Sequence, residues 1–141
     1  EGLDELLQSR YNDGEAELVA TVTRRLLDAG LEPKDVAVLA PYSAQVRRLK
    51  ALLRVPGLEI GTVDGFQGRE KEATVLSLVR SNDKGEVGFL SDTRRMNVAV
   101  TRARRLSIVV GDSVTISRHP FYKDFLAYAE EKGAYRSAYE F

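Results

Sequence analysis

Residues 92–110 run Asp92-Thr93-Arg94-Arg95-Met96-Asn97-Val98-Ala99-Val100-Thr101-Arg102-Ala103-Arg104-Arg105-Leu106-Ser107-Ile108-Val109-Val110. The 92–105 part carries five arginines and no carboxylate after Asp92 to neutralise them. Read at helical periodicity, Met96, Ala99, Val100 and Ala103 form a narrow apolar stripe, which predicts one helix over 92–105 packed on a core. Arg95 and Arg102 then share a second face, and Arg94 and Arg105 a third. A guanidinium is permanently charged and binds two oxygens at once, so a fixed row of them suits phosphate. The same pattern also describes a solvated basic face. Small apolar neighbours, which let a helix sit close to a sheet, favour the packed reading. Leu106–Val110 follows directly as a buried-strand candidate.

Outward from this segment, strands and helices alternate. Val36–Ala40 and Ala73–Val79 are continuous apolar runs of strand length, as expected for strands covered on both faces; Leu58–Val63 is a shorter candidate. Asn12-Asp13-Gly14-Glu15 offers capping side chains for a helix in which Ala16, Val19, Ala20, Thr23, Leu26 and Leu27 recur at helical spacing. Gly30 and Pro33 stop it. Ser43 can cap a second helix running to about Arg54, and a last helix spans His119 to Lys132, closed by Gly133. The order predicts an α/β fold with a mostly parallel sheet and helices on both faces. Ligands in such sheets gather at the carboxyl ends of the strands. That directs attention to the loop after Ile60, to Ser81–Gly88 and to Gly111-Asp112.

Composition narrows the chemistry. A chain of 141 residues is the size of one ordinary domain. Its formal net charge is zero, so a nucleic-acid partner has to be argued from the local arginine patch. The absence of cysteine excludes disulfides and thiolate chemistry within the chain and fits an intracellular protein, cytoplasmic or nuclear. One histidine, His119, excludes a histidine-based metal cluster or triad. No apolar run approaches a membrane span. The chain opens on Glu1 rather than methionine, which suggests a fragment of something longer.

A second constellation is Gly61-Thr62-Val63-Asp64-Gly65-Phe66-Gln67-Gly68-Arg69-Glu70-Lys71-Glu72. Its glycines, interleaved with Asp64 and Gln67 at a strand end, fit either a loop bringing backbone amides to a ligand or a tight turn between strands. In the first case Glu70 could accept from a ribose hydroxyl. It is not a phosphate-binding P-loop, because no lysine here is followed by Ser or Thr. No strand ends in adjacent carboxylates suited to magnesium. Phosphate-seeking arginines without a P-loop make half of an ATP site, the half that supplies an arginine finger.

Val63–Glu72 and Arg94–Arg104 resemble motifs V and VI of the superfamily 1 helicases related to the up-frameshift helicase, in the immunoglobulin mu-binding protein 2 type. Val36–Gln45 resembles the motif IV region. Val79–Asn82 and Gly85–Leu90 resemble the stretch between motifs V and VI, and the similarity extends to His119-Pro120-Phe121. It covers nearly the whole chain from about Tyr11.

The resemblance implies a single RecA-like domain over 1–141, a P-loop NTPase fold without its own P-loop. It would be the second of two motor domains in an ATP-dependent DNA/RNA helicase that moves 5′ to 3′. ATP and magnesium would be shared with, and the magnesium held by, a preceding RecA-like domain of the same polypeptide. Single-stranded DNA or RNA would lie across the top. The isolated domain is expected to be a monomer without ATPase activity, with no metal ligands and no membrane contact.

By motif position Arg102 is the finger. Arg95 is a second catalytic candidate that could equally pair with a carboxylate to orient the helix. Gly68 and Glu70 are implied nucleotide contacts, and Glu15 a carboxylate near the nucleotide that could hold a motif VI arginine. Thr62, Pro41 and Tyr42 are implied nucleic-acid contacts, while Gln67 and Asp64 couple the two sites. Some relatives place a second phosphate-reaching arginine where this chain has Asp13. Either one finger suffices, or Arg69 or Arg95 substitutes. A rival reading, a non-catalytic module binding nucleic acid or a partner through the basic helix, stays open on sequence alone.

Overall fold

The computed structural model describes residues 1–65 and 70–141. A short antiparallel hairpin, β1 (Gly2–Asp4) and β2 (Ser9–Tyr11), leads into α1 (Asp13–Asp28), β3 (Val36–Ala40), α2 (Ser43–Leu52) and β4 (Glu59–Thr62). Then come β5 (Lys71–Ser77), α3 (Thr93–Val100), β6 (Ala103–Val110), α4 (Ser113–Ile116) and α5 (Pro120–Glu131). The main sheet has the order β4-β3-β5-β6 with every neighbouring pair parallel.

Alternation along β3 sorts two cores. Val38 and Ala40 face Val19 of α1 and Leu49 of α2, whereas Ala37 and Leu39 face Met96 and Ala99 of α3 and Tyr122 of α5. All five residues of β3 are buried, as its continuous apolar run requires. The result is the expected RecA-like three-layer sandwich, helices on both faces of a parallel sheet.

Helix α1 starts where its capping signal lies: the Asn12 side chain accepts from Glu15 N. Past its end, Gly30 takes a left-handed φ of 113°.

Two expectations are corrected. Ser43 does not cap α2; it is the first helical residue, and Ser9 of β2 accepts from Ala44 N at 3.1 Å. The hairpin therefore supplies the cap. Nor is 92–105 one helix. Thr101 Oγ1 donates to the carbonyls of Asn97 and Val98 at 2.9 and 3.2 Å, and Ala103 pairs with Lys71 in the sheet. Helix α3 stops at Val100, which leaves Arg94 and Arg95 on the helix, Arg102 in the turn, and Arg104 and Arg105 on β6. Ala103 accordingly leaves the helical stripe, while Met96 and Ala99 keep their buried places.

Candidate functional site

Past the end of β4, Asp64 lies on the α3 side of the sheet, where its carboxylate meets Arg95 of that helix. An open cavity of about 370 Å³ lies here, walled by Asp64, Asp92, Arg94, Arg95, Val98 and Arg102 over Leu39, Val63 and Ala99. Its two ends differ. Asp64 follows β4 and Asp92 precedes α3, whereas Arg102 immediately precedes the paired residue Ala103 at the start of β6. The cleft therefore runs along one face of the sheet instead of being confined to the carboxyl ends of the strands, where sequence reasoning looked for it.

Carboxylates from residues 64–72 and from Asp92 itself answer most of the arginines. Arg95 Nε lies 2.9 Å from Asp64 and 3.7 Å from Asp92, and Asp92 also caps α3 by accepting from Arg95 N. Arg104 bridges Glu70 at 3.0 Å and Glu72 at 3.5 Å, and Arg105 meets Glu72 at 2.9 Å. The expected un-neutralised row is thus largely neutralised across the fold. Among the described residues only Arg94 and Arg102 of this segment lack a carboxylate partner. Arg94 is exposed and Arg102 is half-buried. Among the same residues no three His, Asp or Glu side chains converge as a metal site.

Glu15 lies on the opposite side of β5. It is buried, with a single oxygen accepting from Ser77 Oγ at 2.6 Å and Val79 N at 2.7 Å. Gln45 Nε2 donates to Ser77 Oγ and to Asn12 O, its Oε1 accepts from Asn12 N, and Asn12 Nδ2 donates to Val79 O. This network grips both peptide groups of Val79, whose φ is 71° and which sits between Leu78 O and Arg80 N, themselves bonded at 2.7 Å. A β-branched residue in that γ-turn is strained and persists because its surroundings hold it. Burial pushes the Glu15 carboxyl up to about 7, against the hydrogen bonds from Ser77, Val79 and Leu78, with Asp112's charge adding to the rise. The expectation that Glu15 holds a motif VI arginine is corrected, since α1 packs on one face of the sheet and α3 on the other.

Pro41 and Thr62 meet at neighbouring strand ends, where Ala40 pairs with Thr62 and Val63 N donates to Ala40 O. Thr62 Oγ1 accepts from Gly65 N at 3.0 Å. Tyr42 does not present its ring to solvent as a nucleic-acid contact must: it is 4% exposed. Its hydroxyl accepts from Phe89 N at 3.0 Å and Arg80 Nη1 at 3.2 Å, and Phe89 stacks on its ring. Gln67, Gly68 and Arg69 lie outside the described residues.

Sequence reasoning missed Arg94 as a wall of the cleft, and Gln45, Ser77 and Arg80 as buried polar anchors. Gln45 beside the apolar stripe of α2, and a serine ending a buried strand, were the signals on offer.

The AAA domain family matches residues 2–114. The chain is 53% identical over 136 residues to DNA-binding protein SMUBP-2 of Rattus norvegicus, covering 95% of this chain and 14% of that protein. It is 49% identical over 126 residues to DNA polymerase alpha-associated DNA helicase A of Schizosaccharomyces pombe, covering 87% and 19%. With the putative regulator of nonsense transcripts 1 of Takifugu rubripes it shares 40% over 133 residues, covering 88% and 12%. The chain thus spans a small fraction of each relative's length. With its parallel three-layer fold, and with Val63 and Asp64 of the motif V segment lining one cleft with Arg94, Arg95 and Arg102 of motif VI, the chain belongs to the AAA domain family, within the up-frameshift-like superfamily 1 helicases of the SMUBP-2 type.

Proposed function

We propose that this chain is the second motor domain of an ATP-dependent 5′-to-3′ DNA/RNA helicase, closing over nucleotide whose phosphates and magnesium are held by a preceding RecA-like domain. The observation that carries this reading is Arg102. It is the half-buried arginine of the cleft without a carboxylate partner among the described residues, so its guanidinium is available to a phosphate brought in from outside. Charge building on the transferring phosphoryl group is what such a group stabilises, and a finger contributes roughly 10³- to 10⁵-fold in kcat.

Arg95 takes a different role. Bound to Asp64 and Asp92, it is a positioning residue that ties the start of α3 to the end of β4. Glu70, exposed beside Arg102 at the strand starts, is the proposed ribose contact; its present partner Arg104 is also exposed, so exchanging that pair for a sugar hydroxyl costs little. Pro41 and Thr62 form the proposed backbone track for single-stranded DNA or RNA, with Asp64 linking that track to the arginine cleft through Arg95.

Nucleic-acid-stimulated ATP hydrolysis by the full-length protein tests the assignment. Arg102→Ala should lower kcat by about 10³-fold while ATP still binds, and the isolated 141-residue chain should turn over no ATP. Wild-type turnover in Arg102→Ala removes the finger.

A further inference from the structure

We infer that Phe89, resting on the proposal that the carboxyl ends of β3 and β4 carry a single strand, is a base-stacking platform on that track, the role Tyr42 is too buried to play. Phe89 is 56% exposed, and among the described residues it is the only exposed aromatic before α5. Exposure of one aromatic is ordinary; the way this one is held is not. Its ring lies on that of Tyr42 with centroids 4.9 Å apart and planes 21° from parallel. Its own N–H donates to the Tyr42 hydroxyl, and Leu90 beside it is fully buried, its carbonyl accepting from Tyr122 Oη at 2.6 Å. One face is therefore covered by a buried ring and the backbone is fixed, so the exposed remainder of the ring is presented rigidly.

Gly88 makes the arrangement possible. It holds a φ of 53°, and a Cβ there would run into Arg80 Nη1 and the Tyr42 hydroxyl. Tyr42 follows Pro41, which places Phe89 beside the proposed Pro41–Thr62 track. Nearby carboxylates are occupied: Glu1 binds Arg80 and Ser81 N, and Asp92 caps α3 and pairs with Arg95. A rigid π-face next to a backbone track is what sequence-tolerant recognition of unpaired bases uses, each base stacking independently of its identity.

The test uses the full-length protein and a labelled single-stranded oligothymidylate, with binding measured by anisotropy without nucleotide. Phe89→Leu, which keeps apolar volume and loses the ring, should weaken binding by about tenfold, and Phe89→Tyr should bind as the wild type does. An oligonucleotide abasic throughout should bind the wild type and Phe89→Leu equally. Equal affinity of Phe89→Leu and wild type for oligothymidylate overturns the inference and leaves the helicase proposal standing. So does a Phe89→Leu defect confined to the KM for ATP, which would seat Phe89 against the nucleotide-holding domain. A wild type that binds no single strand overturns both.

Discussion

Strand β5 separates two polar regions of opposite construction. On the α3 side, charged groups sit in an open cleft, their ion pairs are mostly exposed, and Arg102 has no carboxylate partner among the described residues. On the α1 side, Asn12, Glu15, Gln45 and Ser77 form a largely buried hydrogen-bond network. Among the described residues no fully buried side-chain nitrogen or oxygen lacks a partner. The difference teaches where chemistry and where architecture reside. Glu15 spends one carboxyl oxygen on Ser77 Oγ and Val79 N, and removing any member of the network strands the others. An arginine at the mouth of an open cavity can still bind. Glu15 and Arg102 each precede an alanine in sequence, and the fold places one in a buried network and the other in an open cleft.

Breaking the cleft side at its root has the largest expected effect. Met96 is fully buried beneath α3, and Met96→Ala should cost about 3 to 4 kcal/mol, lowering Tm by roughly 10 °C in thermal unfolding of the 141-residue domain. A fall of only a degree or two would mean that α3 is not anchored there.

The α1 side has a pH signature of slightly smaller size. Glu15 titrates at about 7 in the folded chain against an ordinary 4.5, so between those values the folded state binds more protons than the unfolded one. The stability this protonation contributes is fully present below pH 4.5 and is lost as pH rises through 7, by about 3 kcal/mol in the limit. Urea unfolding of Glu15→Gln should lack that slope. An unchanged slope would assign it to another group.

The smallest effect belongs to the exposed ion pair between the starts of β5 and β6. Arg104 is more than half exposed and so is Glu70, so Arg104→Ala should cost less than about 1 kcal/mol, and less still at high salt. A loss of several kcal/mol would show that this pair is structural after all.

Much of this was legible in the chain. Val36–Ala40 and Ala73–Val79 read as strands covered on both faces because their apolar runs are continuous, and α1 was bracketed by Asn12 and Gly30. What local pattern could not carry was decided by distant pairing. Ala103-Arg104-Arg105 continues a helical pattern until Lys71, more than thirty residues earlier, draws it into an edge strand. Asp64, Glu70 and Glu72 neutralise arginines that are distant in sequence, which no reading of 92–105 alone reveals. Ser9, in a hairpin with no strong strand signal, caps a helix that begins at Ser43. Tyr42, which the resemblance implied as a nucleic-acid contact, packs beneath Phe89 instead.

The most direct measurement separates binding from chemistry at Arg102. ATP affinity and single-turnover hydrolysis would be followed in the full-length protein with saturating single strand, for wild type and Arg102→Ala. If Arg102 meets the transferring phosphoryl group, the hydrolysis rate falls by about 10³-fold while the Kd for ATP moves only a few-fold. Hydrolysis at the wild-type rate, or a loss accounted for entirely by weaker ATP binding, contradicts it.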